Sequence, residues 1–428
     1  MNESYLYDCT TSLFAGQLPV CVPYAKINPM RVLQINSVCS GSTGRIAAGV
    51  SRVLNETGHE SRILFGRGEP ANGVACERIE CAAEFYAHSL YARLTDRQGF
   101  ASTAATRKMI CSIRSFSPDV IQLHNLHGYY LDWHVLFEFL RTEGIPIVWT
   151  LHDCNAFTGH CAFFDAARCE RWKTGCGSCP QRKSYPKSWF ADQSARNYAE
   201  KRALTTGLDR LNIITPSNWL KKLVGQSFLR EYPARVVYNG IDLSVFQPAS
   251  SDLRTQYGIG NKRLVLGVAN VWEPRKGLPV FLDLAERLGK EAVVALIGLS
   301  GVQVKALPAG MIGITRTQSV REIVAWYSAA DVFVNPTVED NFPTTQIEAL
   351  ACGTPVVCYE TGGCAESLDD SCGIVVPKGD VPALTDAIFS AGALKKEHCL
   401  RRAAQFGERE RYCDYVSVYR SLCGEGKA

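Results

Sequence analysis

Two carboxylates in the second half of the chain are spaced so that each could bind a different group of hydroxyls on one ligand. They lie in residues 335–357, where a strand pattern ends at Pro336 and a loop then carries Glu339 and Asp340. Glu348 follows Asp340 by eight residues, within a predicted helix. A carboxylate in that position can accept hydrogen bonds from vicinal hydroxyls. The alternative is that Asp340 caps the helix and Glu348 lies on its solvated face.

The start of that helix is a candidate phosphate site between the two carboxylates. Pro343 suits a first helical position, and the amides of the first turn, around Thr344 and Thr345, favour an anion. Phe342 lies in the same loop and joins the candidate ligand-binding residues. Hydroxyl-binding carboxylates on either side of a phosphate site predict a nucleotide sugar as the ligand.

Basic residues and glycines elsewhere in this half could complete the same site. Arg275 and Lys276, in the run VANVWEPRKGL, follow a strand pattern and open a helix where a diphosphate would meet them. There they would stabilise the charge that develops on a leaving diphosphate. Gly362 and Gly363 follow another strand and would let a ligand approach the backbone closely. The alternatives are ordinary surface cations and an ordinary turn.

The first half offers a small-residue loop and several histidines, each at the end of a strand pattern. The loop comprises Gly41, Ser42, Thr43 and Gly44. It lacks the three-glycine fingerprint of dinucleotide-binding proteins, which disfavours a nicotinamide enzyme. His152 ends the strand pattern IPIVWTLHD on the side where parallel sheets bind ligands, so a functional role competes there with a structural one. His124 and His127 share that argument more weakly, and no carboxylate spacing beside them indicates a metal.

Five cysteines fall within residues 152–180. Four of them could form a closed tetrahedral zinc site: Cys161, Cys169, Cys176 and Cys179. Only the last two have the CxxC spacing typical of zinc ligands. Such a site would stabilise a loop with little regular structure by on the order of 10 kcal/mol. Disulfides and unliganded thiols are the alternatives.

The same loop and the residues just after it alternate cations with aromatic side chains. The set is Arg168, Arg171, Trp172, Lys173, Arg182, Lys183, Tyr185, Lys187, Trp189 and Phe190. This chemistry suits a phosphate at an apolar boundary, such as that of a sugar linked to a polyprenyl diphosphate. It also favours peripheral membrane contact without a spanning helix. A solvated rim is the alternative.

The composition restricts the classes of protein to which these residues can belong. The chain has 428 residues, of which 46% are hydrophobic and 21% charged, and its formal net charge is +4. These values are typical of a folded soluble protein, and the mild charge argues against a dedicated nucleic-acid binder. No apolar run approaches the ~20 residues of a membrane span, and residues 1–29 lack a signal-peptide pattern. Cysteines scattered through predicted strands and helices favour a reducing cytoplasm.

The elements that must position these residues repeat a strand–turn–helix pattern in both halves. Strands are predicted at MRVLQINS, RILFG, DVIQLH, IPIVWTLH and NIITPS, and again at RLVLGVA, AVVALIG, DVFVNP, TPVVCY and GIVVP. The intervening segments are long enough for crossover helices. Each half is therefore predicted to be α/β, a doubly wound Rossmann-like domain with a parallel sheet.

Four segments follow from this pattern. We predict an N-terminal extension of unassigned role at 1–29, an acceptor-side domain at 30–238 that contains the Cys-rich loop 154–180, a nucleotide-sugar-binding domain at 239–400, and a C-terminal helix at 401–428. The helix has one apolar face, which could pack back on the first domain. Open parallel sheets bind ligands at the carboxyl ends of their strands, so we expect the two domains to face each other across a ligand-binding cleft.

The paired acids eight residues apart, followed by EALACGTPVV, resemble the signature of the family 4 glycosyltransferases, which are retaining enzymes of the GT-B fold. The resemblance extends over residues 30–425. It implies that Asp340 lies by the transferred sugar, that Glu348 holds the nucleotide ribose, and that His152 contacts the donor sugar or assists the reaction. It also implies that the loop from Gly41 to Gly44 faces the donor phosphates and the acceptor.

The chain departs from the family pattern at three places. The first acid is an aspartate with Glu339 beside it, and Pro343 stands where glycine is common. The family uses an arginine and a lysine on the diphosphate. Lys276 matches the lysine, but the arginine position is Asn270, which makes Arg275 the candidate substitute.

The resemblance implies a glycosyltransferase of the hexosyl- or fucosyltransferase type (EC 2.4) that needs no catalytic metal. Its donor would be a nucleoside-diphosphate sugar. The pieces TGHCAF and WKTGC resemble a loop of colanic-acid-type exopolysaccharide glycosyltransferases. Together with the cations and aromatic residues of the same loop, this predicts a lipid-linked glycan acceptor and a cytoplasmic location at the inner face of the membrane. The alternatives are a sugar-nucleotide epimerase of the same fold and a catalytically inactive partner that binds a glycan or a nucleotide.

Overall fold

A computed structural model describes residues 28–424, so nearly all of the predicted N-terminal extension at 1–29 lies outside the described residues. The described chain divides into two compact units. The first contains residues 28–216, 221–237 and 409–424, and the second contains residues 217–220 and 238–408.

The first unit is built on seven parallel strands. They are β1 (Arg31–Val38), β2 (Glu60–Arg67), β3 (Cys76–Arg78), β4 (Val120–Leu123), β5 (Ile147–Thr150), β6 (Leu211–Thr215) and β7 (Ala234–Val236). The helices that follow them are α1 (Ser42–Glu56), α2 (Ala82–Thr95), α3 (Thr103–Phe116), α4 (Trp133–Glu143) and α5 (Ser194–Thr205). Helix α6 (Asn218–Val224) is divided, with residues 218–220 in the second unit and the rest in the first. The strand order is β3-β2-β1-β4-β5-β6-β7. Every residue of β4 and β5 is buried, as expected for strands covered on both faces.

The second unit has six parallel strands. They are β8 (Arg263–Val268), β9 (Ala292–Ile297), β10 (Ile312–Ile314), β11 (Val332–Asn335), β12 (Val356–Tyr359) and β13 (Gly373–Val376), in the order β10-β9-β8-β11-β12-β13. Its helices are α7 (Leu253–Gln256), α8 (Leu278–Leu288), α9 (Gly301–Lys305), α10 (Val320–Ala329), α11 (Thr344–Ala351), α12 (Val381–Ser390) and α13 (Lys396–Ala403). One apolar layer contains residues of α10, α11 and α13, and the other contains residues of α8 and α12.

The last helix, α14 (Glu408–Cys423), belongs to the first unit from Arg409 onward. Its tyrosines at spacings of three and four residues are buried in the core of that unit. A Cβ atom at Gly49 of α1 would lie 2.2 Å from the ring of Tyr412, so the two helices pack closely there. Tyr419 OH donates a hydrogen bond to Gln122 Oε1 of β4 at 3.0 Å.

The predicted fold class is confirmed, because both sheets are open, parallel and doubly wound. In each sheet the strand order reverses beside the first strand, between β1 and β4 and between β8 and β11. Such a reversal opens a crevice at the carboxyl ends of the strands, where ligands of this architecture bind. Among the helices described between residues 28 and 424, none combines the length and the apolar character needed to cross a bilayer.

Candidate active site

In the second unit, the basic segment after β8 is hydrogen-bonded to the acidic segment after β11. Val338 N donates to Arg275 O at 2.9 Å, and the Arg275 guanidinium donates to Glu339 O at 3.0 Å. Lys276 Nζ lies 2.5 Å from Asp340 Oδ2. Burial alone would raise the pKa of Asp340, but Lys276 and Arg275 outweigh it and hold that pKa below its ordinary value. The predicted diphosphate cations and the predicted sugar-side carboxylate thus lie together at the ends of adjacent strands.

Two glycines after β12 fix the position of this acidic segment. Gly362 has a φ of +55°, and a Cβ atom there would lie 1.7 Å from the backbone oxygen of Asp340. At Gly363 a Cβ atom would lie 2.0 Å from the oxygen of Asn341. A side chain at either position would displace the acidic segment. These glycines therefore let the backbone of the acidic segment approach closely. The ligand approach predicted from sequence stays a prediction.

Helix α11 begins directly after the acidic segment and carries Glu348. Pro343 occupies the cap position, and the half-buried Thr344 and Thr345 form the first turn. Glu348 is only 5% exposed, so it does not lie on a solvated face. Tyr327 OH of α10 donates a hydrogen bond to Glu348 Oε2 at 3.0 Å and orients the carboxylate.

In the first unit, His152 follows β5 and is tied to a hydrogen-bonded relay. Its Nε2 lies 3.0 Å from His124 Nδ1, and His124 Nε2 lies 2.9 Å from Gln34 Oε1. The Gln34 amide donates to Ala47 O and Ser51 Oγ, so its oxygen is an acceptor and His124 Nε2 carries a proton. His124 Nδ1 then accepts from His152 Nε2. The relay leaves Nδ1 of His152 as the ring nitrogen without a proton.

Burial keeps both histidines of the relay neutral. It lowers the pKa of His152 to about 4, and it lowers the pKa of His124 well below the ordinary value, with the neighbouring His152 adding to the effect. The next residue along the chain, Asp153, accepts a hydrogen bond from His127 Nε2 at 2.7 Å. His127 Nδ1 in turn lies 3.1 Å from the hydroxyl of Tyr185. The strand end is therefore held by two hydrogen bonds, one from His152 to His124 and one to Asp153 from His127.

The small-residue loop after β1 is held by Asn36. Asn36 Nδ2 lies 3.2 Å from the hydroxyl of the buried Thr43, and Asn36 Oδ1 accepts from Asn125 N at 3.3 Å. Helix α1 begins at Ser42, directly after Gly41. The loop and His152 both follow strands at the carboxyl edge of the first sheet, but the Thr43 hydroxyl is used to position the loop.

Comparison with known proteins identifies the architecture. Residues 43–245 match the family described as Glycosyltransferase Family 4, and residues 262–391 match Glycosyl transferases group 1. A putative colanic acid biosynthesis glycosyl transferase from Escherichia coli, WcaC, is 25% identical over 92% of this chain and 100% of its own length. D-inositol 3-phosphate glycosyltransferase 1 of Catenulispora acidiphila is 30% identical over 54% of this chain and 61% of its own length.

The chain is a glycosyltransferase that carries a Glycosyltransferase Family 4 domain at 43–245 and a Glycosyl transferases group 1 domain at 262–391. Solved GT-B structures agree in fold. Sucrose-phosphate synthase from Thermosynechococcus elongatus superposes with a TM-score of 0.68 over 93% of this chain and all of that one, at 15% identity. Anabaena HepE in complex with UDP-glucose has a TM-score of 0.61 over 91% of this chain and all of that one, also at 15% identity.

Not every residue that we predicted for this glycosyltransferase site presents its side chain to a ligand. Phe342 is 3% exposed, and its ring packs 4.9 Å from that of Tyr238 and 5.6 Å from that of Phe406. It therefore contributes to the core beneath the acidic segment. Asn270, at the position where the family has an arginine, is exposed. Arg275 is half-buried, and its Nε lies 3.1 Å from Glu273 Oε2.

The zinc site predicted from the four cysteines is not formed in the part of the chain that the structure describes. No group of three or more His, Cys, Asp or Glu side chains between residues 28 and 424 is arranged to hold a metal ion. Instead, Cys161 and Cys179 share a hydrogen bond that lowers the pKa of Cys179 to about 7 and raises that of Cys161. Cys176 Sγ accepts from Gly159 N at 3.3 Å. Cys176 and Cys154 also lie near enough to Cys161 to raise its pKa, so these thiols cluster without forming a set of metal ligands.

A buried lysine stabilises the Cys-rich loop. Lys201 Nζ of α5 donates to Asn155 O at 2.7 Å, to Asn155 Oδ1 at 3.1 Å and to Thr158 O at 3.1 Å. Burial lowers the pKa of Lys201 to about 8. Trp172, predicted as part of an exposed basic and aromatic surface, is buried and stacks on Phe164. The loop therefore has its own small core.

Sequence reasoning missed Tyr327, Gln34 and Lys201 as supports of the site. Each is a single polar residue within an apolar strand or an ordinary helix, and each bonds a residue far away in sequence. The only available signal was polarity at a position where the strand or helix pattern predicts burial, as at Gln34 in MRVLQINS.

Proposed function

We propose that this glycosyltransferase transfers a sugar from a nucleoside-diphosphate sugar, with retention of anomeric configuration, to a lipid-linked glycan in the assembly of a bacterial exopolysaccharide or surface polysaccharide. The observation that supports the donor most strongly is the pairing of Lys276 with Asp340 immediately before α11. The UDP-glucose bound to HepE and the colanic acid context of WcaC support the same class of donor and pathway.

The residues of the second unit suit a departing diphosphate. In the transfer, the bond between the anomeric carbon and the diphosphate breaks with its electron pair on the diphosphate, and an acceptor hydroxyl bonds that carbon and passes its proton to the departing diphosphate. Lys276, Arg275 and the amides of the first turn of α11 would stabilise the diphosphate charge. Asp340 would bind hydroxyls of the transferred sugar, and Glu348 would bind those of the ribose. Neutral His152 would accept a hydrogen bond from the sugar.

The acceptor side is assigned to the first unit. Trp189 and Phe190 are exposed beside Arg182 and Lys187. Exposed aromatic side chains next to cations suit the boundary between lipid headgroups and water. We propose that this segment makes peripheral contact with the inner face of the cytoplasmic membrane, where a polyprenyl-linked acceptor would be presented.

A donor screen tests the proposal. The protein is incubated with UDP-, GDP- and dTDP-sugars, and release of the nucleoside diphosphate is measured together with the anomeric configuration of any product. We expect one donor class to be hydrolysed slowly or transferred, and Lys276→Met to abolish this. Lys290→Met, which removes an exposed lysine of the same unit, serves as the matched control. An inverted product would exclude retention, and nucleotide release with an epimerised free sugar would indicate an epimerase.

The exposed Asn270 in place of an arginine favours one second candidate, a partner protein that binds a nucleotide sugar without turning it over. In that case the donor would bind with an affinity that depends on Lys276, yet no nucleoside diphosphate would be released with any acceptor. Comparing the wild type with Asn270→Arg separates the two candidates. An enzyme that does not need this arginine should release nucleoside diphosphate as the wild type, whereas a binding partner should not.

A further inference from the structure

Helix α2 of the first unit presents an apolar stripe to solvent. Tyr86, Leu90 and Leu94 are four residues apart and share one face, with exposures of 70%, 50% and 42%. The residues that α2 buries, such as His88 and Ala92, lie on the other side. A surface helix normally directs its large apolar residues inward, so a stripe that faces outward indicates a binding surface.

The segment that follows the Cys-rich loop extends this stripe. Trp189 N donates to Arg93 O in the last turn of α2 at 2.7 Å. The Arg93 guanidinium lies 5.6 Å from the centroid of the Trp189 ring. Trp189 and the neighbouring Phe190 are both exposed. The α2 stripe and these two aromatic residues therefore lie near each other at the end of α2.

A cavity of about 600 Å³ opens between α2 and the same segment. Its described lining includes four cations and neither Asp nor Glu: Arg67, Arg93, Lys183 and Lys187. Burial raises the pKa of Tyr129 in the cavity wall, while the charges of Arg93 and Arg67 oppose the increase, so both guanidinium groups lie near its hydroxyl. The volume is within the ~300–1,000 Å³ typical of small-ligand sites.

The charge of this cavity selects the class of ligand. Four cations without a carboxylate favour an anion with several oxygens, such as a diphosphate. A nucleotide is disfavoured, because the cavity has no carboxylate to accept hydrogen bonds from ribose hydroxyls. The aromatic and aliphatic part of the wall continues into the exposed α2 stripe, which suits a hydrocarbon chain attached to the anion.

Hydrogen bonds connect the cavity to the candidate catalytic histidine. Tyr185, in the cavity wall, bonds His127, and His127 bonds Asp153, the neighbour of His152. All of these residues belong to the first unit. A ligand held in the cavity would thus contact the same hydrogen-bonded network that supports the strand end carrying His152.

We propose that this cavity binds the diphosphate of an isoprenoid-linked acceptor, with the isoprenoid chain along the α2 stripe. The inference rests on the proposed function, because it assigns a site to the lipid-linked acceptor of that reaction. The occupant is the lipid diphosphate. The test must distinguish it from the headgroups of an anionic bilayer, which could occupy the same cavity.

Binding of geranylgeranyl diphosphate in detergent, followed by calorimetry, tests the site. Arg67→Gln with Lys183→Gln should weaken binding by about tenfold for each cation removed, the usual loss for a charge-assisted bond. The matched control is Arg107→Gln with Lys108→Gln, an exposed pair on α3 of the same unit, which should bind like the wild type.

Two further arms separate the parts of the ligand. Leu90→Asn, at an exposed position, should weaken binding of geranylgeranyl diphosphate at least threefold while leaving inorganic diphosphate unaffected. Geranylgeraniol, which lacks the diphosphate, should bind equally weakly to the wild type and to the Arg67/Lys183 double variant. Each of these results would support the two-part site.

Three outcomes would overturn the inference. The first is equal affinity of the Arg67/Lys183 variant and the wild type for geranylgeranyl diphosphate. The second is no measurable binding to a wild-type protein that hydrolyses a nucleotide sugar, which would leave the proposed function intact. The third is displacement of the ligand by phosphatidylglycerol vesicles at equal phosphate concentration, which would make the cavity a site for bilayer headgroups instead of the lipid diphosphate. If the lipid binds as expected but no donor is ever used, the proposed function fails and the site remains.

Discussion

Replacing Glu348 with Gln tests whether the carboxylate of α11 binds the ribose. A carboxylate offers about four lone-pair positions, and the Tyr327 hydroxyl uses one of them. Two vicinal ribose hydroxyls would add two charge-assisted hydrogen bonds, each about twice as strong as a neutral one. Gln keeps the size of the side chain but loses the charge and one acceptor. We expect a loss of about 2 kcal/mol in binding, or roughly 30-fold in Kd.

The assay is calorimetric titration of the nucleoside diphosphate selected by the donor screen, compared with its 2′,3′-dideoxy analogue. The variant should bind the natural nucleotide about 30-fold more weakly than the wild type does, and the analogue with nearly unchanged affinity, since the analogue lacks both hydroxyls. Tyr327→Phe should also weaken binding of the natural nucleotide and not of the analogue, but by only about threefold. This change removes the hydrogen bond that orients the Glu348 carboxylate and keeps the carboxylate itself. Glu360→Gln, an exposed carboxylate of the same unit, is the control.

Two results would refute the ribose assignment. If Glu348→Gln weakens the analogue as much as the natural nucleotide, the residue acts on the fold or on the diphosphate. If it weakens neither, Glu348 is a structural residue that Tyr327 keeps buried. Thermal unfolding of each variant separates a folding defect from a binding defect, because a correctly folded variant keeps the Tm of the wild type within a few degrees.

Three other perturbations follow from the structure. His152, with a pKa of about 4, should remain neutral, so the transfer rate should not fall until the pH drops below about 5, and a fall near 6.5 would contradict the buried relay with His124. Lys201→Met should destabilise the protein by about 3 kcal/mol, measured by denaturant unfolding, because it leaves three buried acceptors unpaired. Gly362→Ala should move the Asp340 segment and weaken nucleotide-sugar binding in titrations, and a variant that binds normally would show that the segment tolerates displacement.

Much of the fold was predictable because parallel sheets leave a strong signal in sequence. Runs such as DVIQLH and IPIVWTLH are rich in Val, Ile, Leu and Trp, and each is followed by a polar or small-residue turn. The same rule places functional residues after strands, which led to His152, Lys276 and Asp340. Their positions at strand ends follow from topology alone, whereas the pairing of Lys276 with Asp340 depends on the adjacency of β8 and β11.

Contacts between distant residues were not predictable in the same way. CxxC spacing suggested zinc because spacing shows which thiols are near in sequence, but not whether their side chains converge. Lys201 is more than twenty residues beyond Cys179, and its bonds to the loop show in no local pattern. Phe342 was assigned to the ligand because of its neighbours along the chain, although Tyr238 and Phe406 enclose its ring.

On the acceptor side, the sequence shows the basic and aromatic residues, and only the structure shows the cavity that they line. The alternation of cations and aromatic residues after the Cys-rich loop was visible in sequence, but it allowed either a solvated rim or a phosphate site. The choice depends on α2, a helix about ninety residues earlier, because its Arg93 and its exposed stripe complete a cavity that Lys183 only borders. A solvated rim would mix acids with these cations, and the described lining has none. The absence of carboxylates beside an outward apolar stripe is therefore what favours a diphosphate with a hydrocarbon chain over simple solvation.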